Sequence, residues 1–310
     1  MLDFTHLPVA TGNADVQFFL GDAATVGASW RSWQKPRGKS MLHIMLVGAG
    51  GNGGTGVVGA NSVSAGGAGG QSGAITNQII PLAFLPDTLY LSLAGIKPTA
   101  TANFASLIAI APVNTANNIL TFANGGLHGG NGAAGVGGTV GTAAAIATAA
   151  NMPLGWSFIT SVCFASQVGT AGGAAIAAVA LALPTTGAFV TGGTGGGGLP
   201  AAAATGTNGG NITGAGIFTS NLGGVGSATA TVPAQWGNPG MQPVARLGYY
   251  IGGTGAASTH GTATGAGLVQ GSGGDGAPGC GGGGMGGALT GSSVGRVGFG
   301  GPAFAILTCW

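Results

Sequence analysis

The chain has 310 residues, 70 of them glycine; apolar residues make up 45% of it and charged residues only 4%. Glycine costs roughly 1 kcal/mol relative to alanine inside a helix, so this density argues against an ordinary helical or doubly wound enzyme. The low net charge of +2 argues against a nucleic-acid-binding surface, and the high apolar content against a disordered linker.

Residues 1–40 differ from the rest. They hold three of the five acids (Asp3, Asp15, Asp22), the basic group Arg31, Lys35, Arg37 and Lys39, and the aromatics Phe4, Phe18, Phe19, Trp30 and Trp33. They read as a β-containing or extended segment for attachment or assembly. The opening MLDFTHLPVATGNADVQFF lacks the basic start and apolar core of a signal peptide. Residues 41–98 read as a β-framework with a first glycine-rich arm. Met41–Val47 is a short apolar run bounded by turn signals, as a buried strand should be. Thr88–Leu93 alternates polar and apolar as a half-buried strand does, and Pro81 and Pro86 argue against a helix before it. Gly48–Gly53 (GAGGNG) matches a dinucleotide-binding fingerprint. No helical period follows it, and no acid stands about 20 positions on to hold a ribose, so no cofactor is expected.

Residues 99–264 read as glycine-rich arms alternating with apolar loops. Gly126, Gly129, Gly132, Gly135, Gly138 and Gly141 keep a strict period of three, and shorter runs such as Gly50–Gly59, Gly192–Gly198, Gly273–Gly282 and Gly295–Gly301 repeat it. A period of three matches neither helix nor strand. It is the repeat of the polyproline II conformation, whose amides bond only to water or to neighbouring chains. Collagen is excluded because the runs are short and only 14 prolines are present. The expected fold is therefore mainly β and irregular: a small β-framework, a bundle of polyglycine II helices with apolar connecting loops, and little α-helix. The alanine-rich stretches 143–150 and 174–183 are the places where local helix is expected. The second of these is too short to cross a bilayer core of about 30 Å. Aromatic residues of the connections, Phe104, Trp156, Phe158, Phe164, Phe189, Trp236, Tyr249 and Tyr250, are candidates either for receptor or subunit contact or for local core at the bundle ends. Residues 265–310 complete the pattern with a C-terminal arm and a closing strand, Ala303–Trp310.

Chemistry-bearing residues are sparse. Between Asp87 and the C-terminus the only acid is Asp275, which leaves no carboxylate pair for glycoside hydrolysis. His6, His43, His128 and His260 lie far apart without zinc-ligand spacing, and Cys163, Cys280 and Cys309 are an odd number without metal spacing. A non-enzymatic protein without metal or cofactor is expected.

Trp33-x-Lys35-Pro36-x-Gly38, followed by a strand and GAGGNGGTG, resembles the start of the glycine-rich domain of tailed-bacteriophage tail-fibre proteins, and the close GGPAFAILTCW resembles its end. The chain also resembles the adhesins that cap long tail fibres, in which polyglycine II helices form a scaffold and their loops meet outer-membrane receptors. This resemblance implies a virion protein made in the host cytoplasm, a tail-fibre or spike adhesin and homo-oligomer. Its partners would be other virion proteins or a bacterial surface protein or glycan, with no nucleic acid and no membrane insertion. The alternative is a self-assembling structural protein, a virion decoration or extracellular filament subunit, because so uncharged a surface is normally buried between subunits.

Overall fold

The computed structural model describes residues 14–25, 27–59, 64–96, 105–156, 163–185, 188–200, 205–214, 219–229, 232–241, 250–260, 269–289 and 294–310. The chain is mainly β, with very little helix. Its strands are β1 (Asp15–Leu20), β2 (Arg31–Gln34), β3 (Met41–Val47), β4 (Val58–Gly59), β5 (Ile75–Pro81), β6 (Thr88–Ser92), β7 (Ser106–Ala109), β8 (Ile119–Ala123), β9 (Cys163–Phe164), β10 (Leu181–Ala182), β11 (Ile212–Thr213), β12 (Ala288–Leu289) and β13 (Phe304–Cys309). The one α-helix among the described residues, α1, is a single turn at Pro153–Trp156.

Two antiparallel sheets face each other. One has five strands in the order β1-β13-β3-β5-β9, the other four in the order β2-β6-β7-β8. Between them lie Trp33, Leu42, Ile44, Leu46, Ile80, Leu89, Leu91, Ile108, Leu120 and Leu307, all buried. The continuous apolar sequence of β3 has a simple cause: both of its faces are covered. Leu42, Ile44 and Leu46 face the second sheet, while Val47 on the other face packs against Ala188, Val190, Ala277 and Cys280 from the glycine-rich part. β1 and β2, from the stretch read as an attachment segment, each supply a strand to one sheet. The apolar stretch Phe104–Phe122, expected to be a connecting loop, instead supplies β7 and most of β8. Ile108 and Leu120 enter the sandwich core while Leu107 and Ile119 pack with Met152 in a separate cluster, and a sequence without clear alternation concealed this.

The glycine-rich part continues directly from β3, β5, β8 and the start of β13. Its segments run side by side and are joined by backbone hydrogen bonds that recur every third residue. Residues 64–74 lie at its centre. Every N–H from Gly66 to Ala74 donates, at 2.8–3.0 Å, to three neighbours in rotation: Gly173, Thr170 and Gln167; Met285, Gly282 and Gly279; Gly130, Leu127 and Asn124. Carbonyls of the same segment accept from three further segments, through Gly51 and Gly54, Gly138, and Gly193 and Gly196. Residues 281–288 behave likewise, donating in rotation to 190–199, 48–57 and 269–277. Followed outward, these bonds order the segments into four tiers: 124–132, 48–57 and 294–302; 137–148, 64–74, 279–289 and 269–277; 166–173, 190–199, 250–259 and 232–241; 174–182, 205–213 and 221–227. At the interior glycines such spacing leaves no room for a side chain. A Cβ on Gly70 would collide with the Gly51 carbonyl, and one on Gly67 with that of Gly54.

Two expectations need correction. The run Gly126–Gly141 is not one arm. It reverses at Ala133–Val136, which bond to each other in both directions, with Gly135 at φ +72° in a conformation that side chains disfavour. Gly126, Gly129 and Gly132 donate to Ala49, Asn52 and Thr55, whereas Gly138 on the returning arm donates to Gly66. Gly141 lies against Leu127 and Gln71. The alanine-rich stretches are not helical either: Ala178 and Leu181 donate to Asn208 and Asn211 of the next segment, and Ala144 to the Ser166 hydroxyl. Lateral partners claimed the amides that a helix would have used, overriding propensity.

Candidate functional site

Where the array ends, its outermost amides still need acceptors, because an unpaired buried backbone group is costly. Side chains supply them. Asn131 Oδ1 accepts from Thr55 N–H, Asn52 Oδ1 from Gly300, Asn208 Oδ1 from Gly226 and Asn211 Oδ1 from Gly223. These asparagines close the rim by standing in for the carbonyls of a missing neighbour.

One side of the rim also carries side chains suited to recognition. Segments 232–241, 269–277 and 294–302 are consecutive there, joined by Gly237 N–H to Ser272, Gly273 N–H to Arg296 and Gly276 N–H to Phe299. Pro233, Trp236 and Pro239 are spaced by three residues and all exposed, with Trp236 at 65%. On the two neighbouring segments the Arg296 guanidinium meets the Asp275 carboxylate through two bonds, Nη1–Oδ1 at 2.9 Å and Nη2–Oδ2 at 2.7 Å. Asp275 also accepts the Phe299 N–H at 2.8 Å, and the guanidinium lies 4.9 Å from the centre of the Phe299 ring. The hydrogen bonds that Arg296 donates to Asp275 raise its pKa further. The outcome is a preorganised charge pair on an aromatic ring, with an exposed indole framed by prolines on the adjoining segment. Such a surface can stack against apolar or sugar faces and offer fixed hydrogen-bonding groups. Among the described residues no group of three or more His, Cys, Asp or Glu could hold a metal, and no helix is long and apolar enough to cross a membrane.

Of the aromatic residues singled out in the sequence, Trp236 belongs to this surface. Phe189 and Tyr250 do not. They pack with Phe304 in the seam between array and sheet, with ring centroids 6.3 Å and 5.1 Å from that of Phe304. Phe164, half-buried on β9, joins the same seam. These three are core because β3, β5 and β13 expose an apolar face where the array begins. Burial raises the pKa of Tyr250, with a smaller contribution from Cys280, and pushes the Cys280 thiol far up as well. Trp156 lies in α1, its side chain outside the described set; Phe104, Phe158 and Tyr249 lie outside the described residues. Asp275, Arg296 and Phe299 escaped the sequence reading. A usable signal was present: Arg296 and Phe299 keep the three-residue spacing of Gly295, Gly298 and Gly301, which places both on one face.

No protein-family model matches the sequence, and no curated protein matches it.

Proposed function

We infer that the chain is a non-enzymatic phage virion protein, a tail-fibre or spike adhesin, in which a bundle of polyglycine II helices holds a recognition surface rigid. The observation that carries this reading is the rotation of the Gly66–Ala74 amides through three neighbours, one per residue. A left-handed helix with three residues per turn and no internal bonds directs its amides in this way. Each interior segment is then tied to its surroundings at every residue, and only rim side chains remain to differ between one such protein and another. Trp236, Arg296, Asp275 and Phe299 would meet a bacterial outer-surface protein or glycan, and the β-sandwich would join the chain to the rest of the virion. Fluorescently labelled chain should bind saturably to susceptible bacterial cells, and Trp236→Ala should weaken binding about tenfold or more, as loss of a buried aromatic anchor does. Binding indifferent to Trp236 and Arg296, or absent across a broad panel of bacteria, would remove this assignment.

The alternative of a self-assembling structural protein rests on a different observation. Ile176, Val179, Leu222 and Val225 are all more than half exposed on outer segments without a single charge beside them. Electron microscopy of the purified chain separates the two readings, since filaments or closed shells require subunit contacts where an adhesin leaves a free surface.

A further inference from the structure

The sandwich contains a second surface, separate from the rim that the adhesin reading assigns to recognition. Among the described residues β1 is the outermost strand of the five-stranded sheet, paired with β13 over six residues in unbroken register. Natural edge strands are usually protected by lysine, proline or a bulge. β1, with the sequence DVQFFL, has none of these, and its outer face exposes Val16, Phe18 and Leu20 at 48%, 52% and 40%.

The direction of its amides follows from the bonds at the two sides of β13. Gly21 N–H donates to the Ala303 carbonyl at 2.7 Å, which puts Gly21 and Ala303 at a hydrogen-bonding position of the ladder, although the Ala303 N–H itself goes to Ala94. The reciprocal bonds of Met41 and Trp310 on the other side of β13 fix the same alternation. Such pairs alternate along an antiparallel ladder. Phe19, Gln17 and Asp15 therefore bond towards β13, and Val16, Phe18 and Leu20 turn their N–H and C=O groups to the open edge.

We propose that this edge pairs with the same edge of a second copy, antiparallel, about a two-fold axis at Phe18. In that register Phe18 meets Phe18, and Val16 meets Leu20. All three outward-facing residues fall on hydrogen-bonded positions, so no edge amide is wasted, and a two-fold interface requires such self-complementarity. Charge agrees with it. Asp15 is the only ionisable residue of the strand and comes to lie opposite Gly21, far from its symmetry mate, so no like charges meet. The joined sheets form one continuous sheet. Because β1 runs towards the array, with Leu20 beside Phe304, the two arrays extend from it in opposite directions. The pairing goes beyond the adhesin reading and stands whatever the rim binds.

Sedimentation equilibrium of the full chain over a wide concentration range tests it. The natural chain should show a monomer–dimer equilibrium. Phe18→Lys, which sets two like charges on the axis, should be monomeric wherever the natural chain is dimeric. Val16→Pro removes only an edge-facing N–H and should weaken the dimer at least severalfold while leaving the β-type circular dichroism unchanged. Phe18→Cys should cross-link under mild oxidation, since Cα atoms of a hydrogen-bonded pair lie about 5.5 Å apart, within disulfide reach. Val58→Cys, exposed elsewhere, should not. A natural chain that stays monomeric, a dimer that survives both Phe18→Lys and Val16→Pro, or a Phe18→Cys chain that fails to cross-link would overturn the proposal.

Discussion

The sandwich and the glycine array are built from opposite materials. In the sandwich, cohesion comes from side chains: Leu42, Ile44, Ile80, Leu89 and Leu91 fill the space between two sheets, and each stabilises by roughly 1.5–3 kcal/mol through burial. In the array, cohesion comes from backbone bonds that form because glycine leaves no side chain at the points of close approach. Around residues 64–74 and 279–289 the neighbouring backbones stand where a Cβ would be. The sandwich should therefore suffer when a side chain is removed, and the array when one is added.

The largest effect is expected where the array is tightest. Gly70→Val should cost more than about 3 kcal/mol, because the carbonyls of Gly51 and Asn52 cannot yield without breaking their own bonds. Thermal unfolding followed by circular dichroism should show a lost or much lower transition; a near-normal one would mean that the array can expand locally. In the sandwich the converse change, Leu91→Ala, should cost about 2–5 kcal/mol in urea denaturation, and Leu91→Met far less. Gly135→Ala isolates conformation from crowding, since nothing stands near its Cβ direction while its φ is +72°. A loss of about 1–2 kcal/mol is expected there, well below that at Gly70.

Titration sharpens the contrast through one thiol in the sandwich core and one in the seam. Burial pushes the Cys309 thiol up to about 12 and Cys280 higher still, from an ordinary 9. Above pH 9 the unfolded chain releases these protons and the folded chain keeps them, so stability should fall by about 1.4 kcal/mol per pH unit for each thiol. Cys309→Ala should flatten this slope in urea midpoints measured between pH 8 and about 11. His43 and His128 act at the other end of the scale. Burial lowers both, so stability present above the ordinary histidine value of 6.5 should drain away as pH falls below it, and His43→Gln should reduce that loss. The smallest effect is predicted at Trp236, where alanine should change stability by less than about 0.5 kcal/mol, because the indole is exposed.

The legible parts were those where local pattern and local structure share a cause. Met41–Val47, Thr88–Ser92 and the closing strand were readable because apolar runs between turn signals make strands in most surroundings. Period-three glycine pointed to backbone whose amides bond to neighbouring segments, and the amides of Gly66–Ala74 do so. The alanine-rich stretches misled, because helix propensity is a weak preference and Ala178 and Leu181 gave their amides to Asn208 and Asn211 instead. Trp236 was recognisable as an aromatic in a glycine-rich connection. Its likeness in sequence to Phe189 and Tyr250 ended there, since exposure depends on which rim or seam a segment occupies.

What the sequence determined by itself was the kind of contact each stretch can make: side-chain packing where apolar residues cluster, backbone-to-backbone approach where glycine recurs every third residue. Which segments became neighbours was decided only by the tertiary structure. Glycine is the same on every face and encodes no partner, so the rotation of 64–74 against three donor and three acceptor neighbours had to be set from outside. The sandwich strands and the turn at Gly135 start and reverse the arms, and the pairing of Asp275 with Arg296 across 21 residues follows from that order.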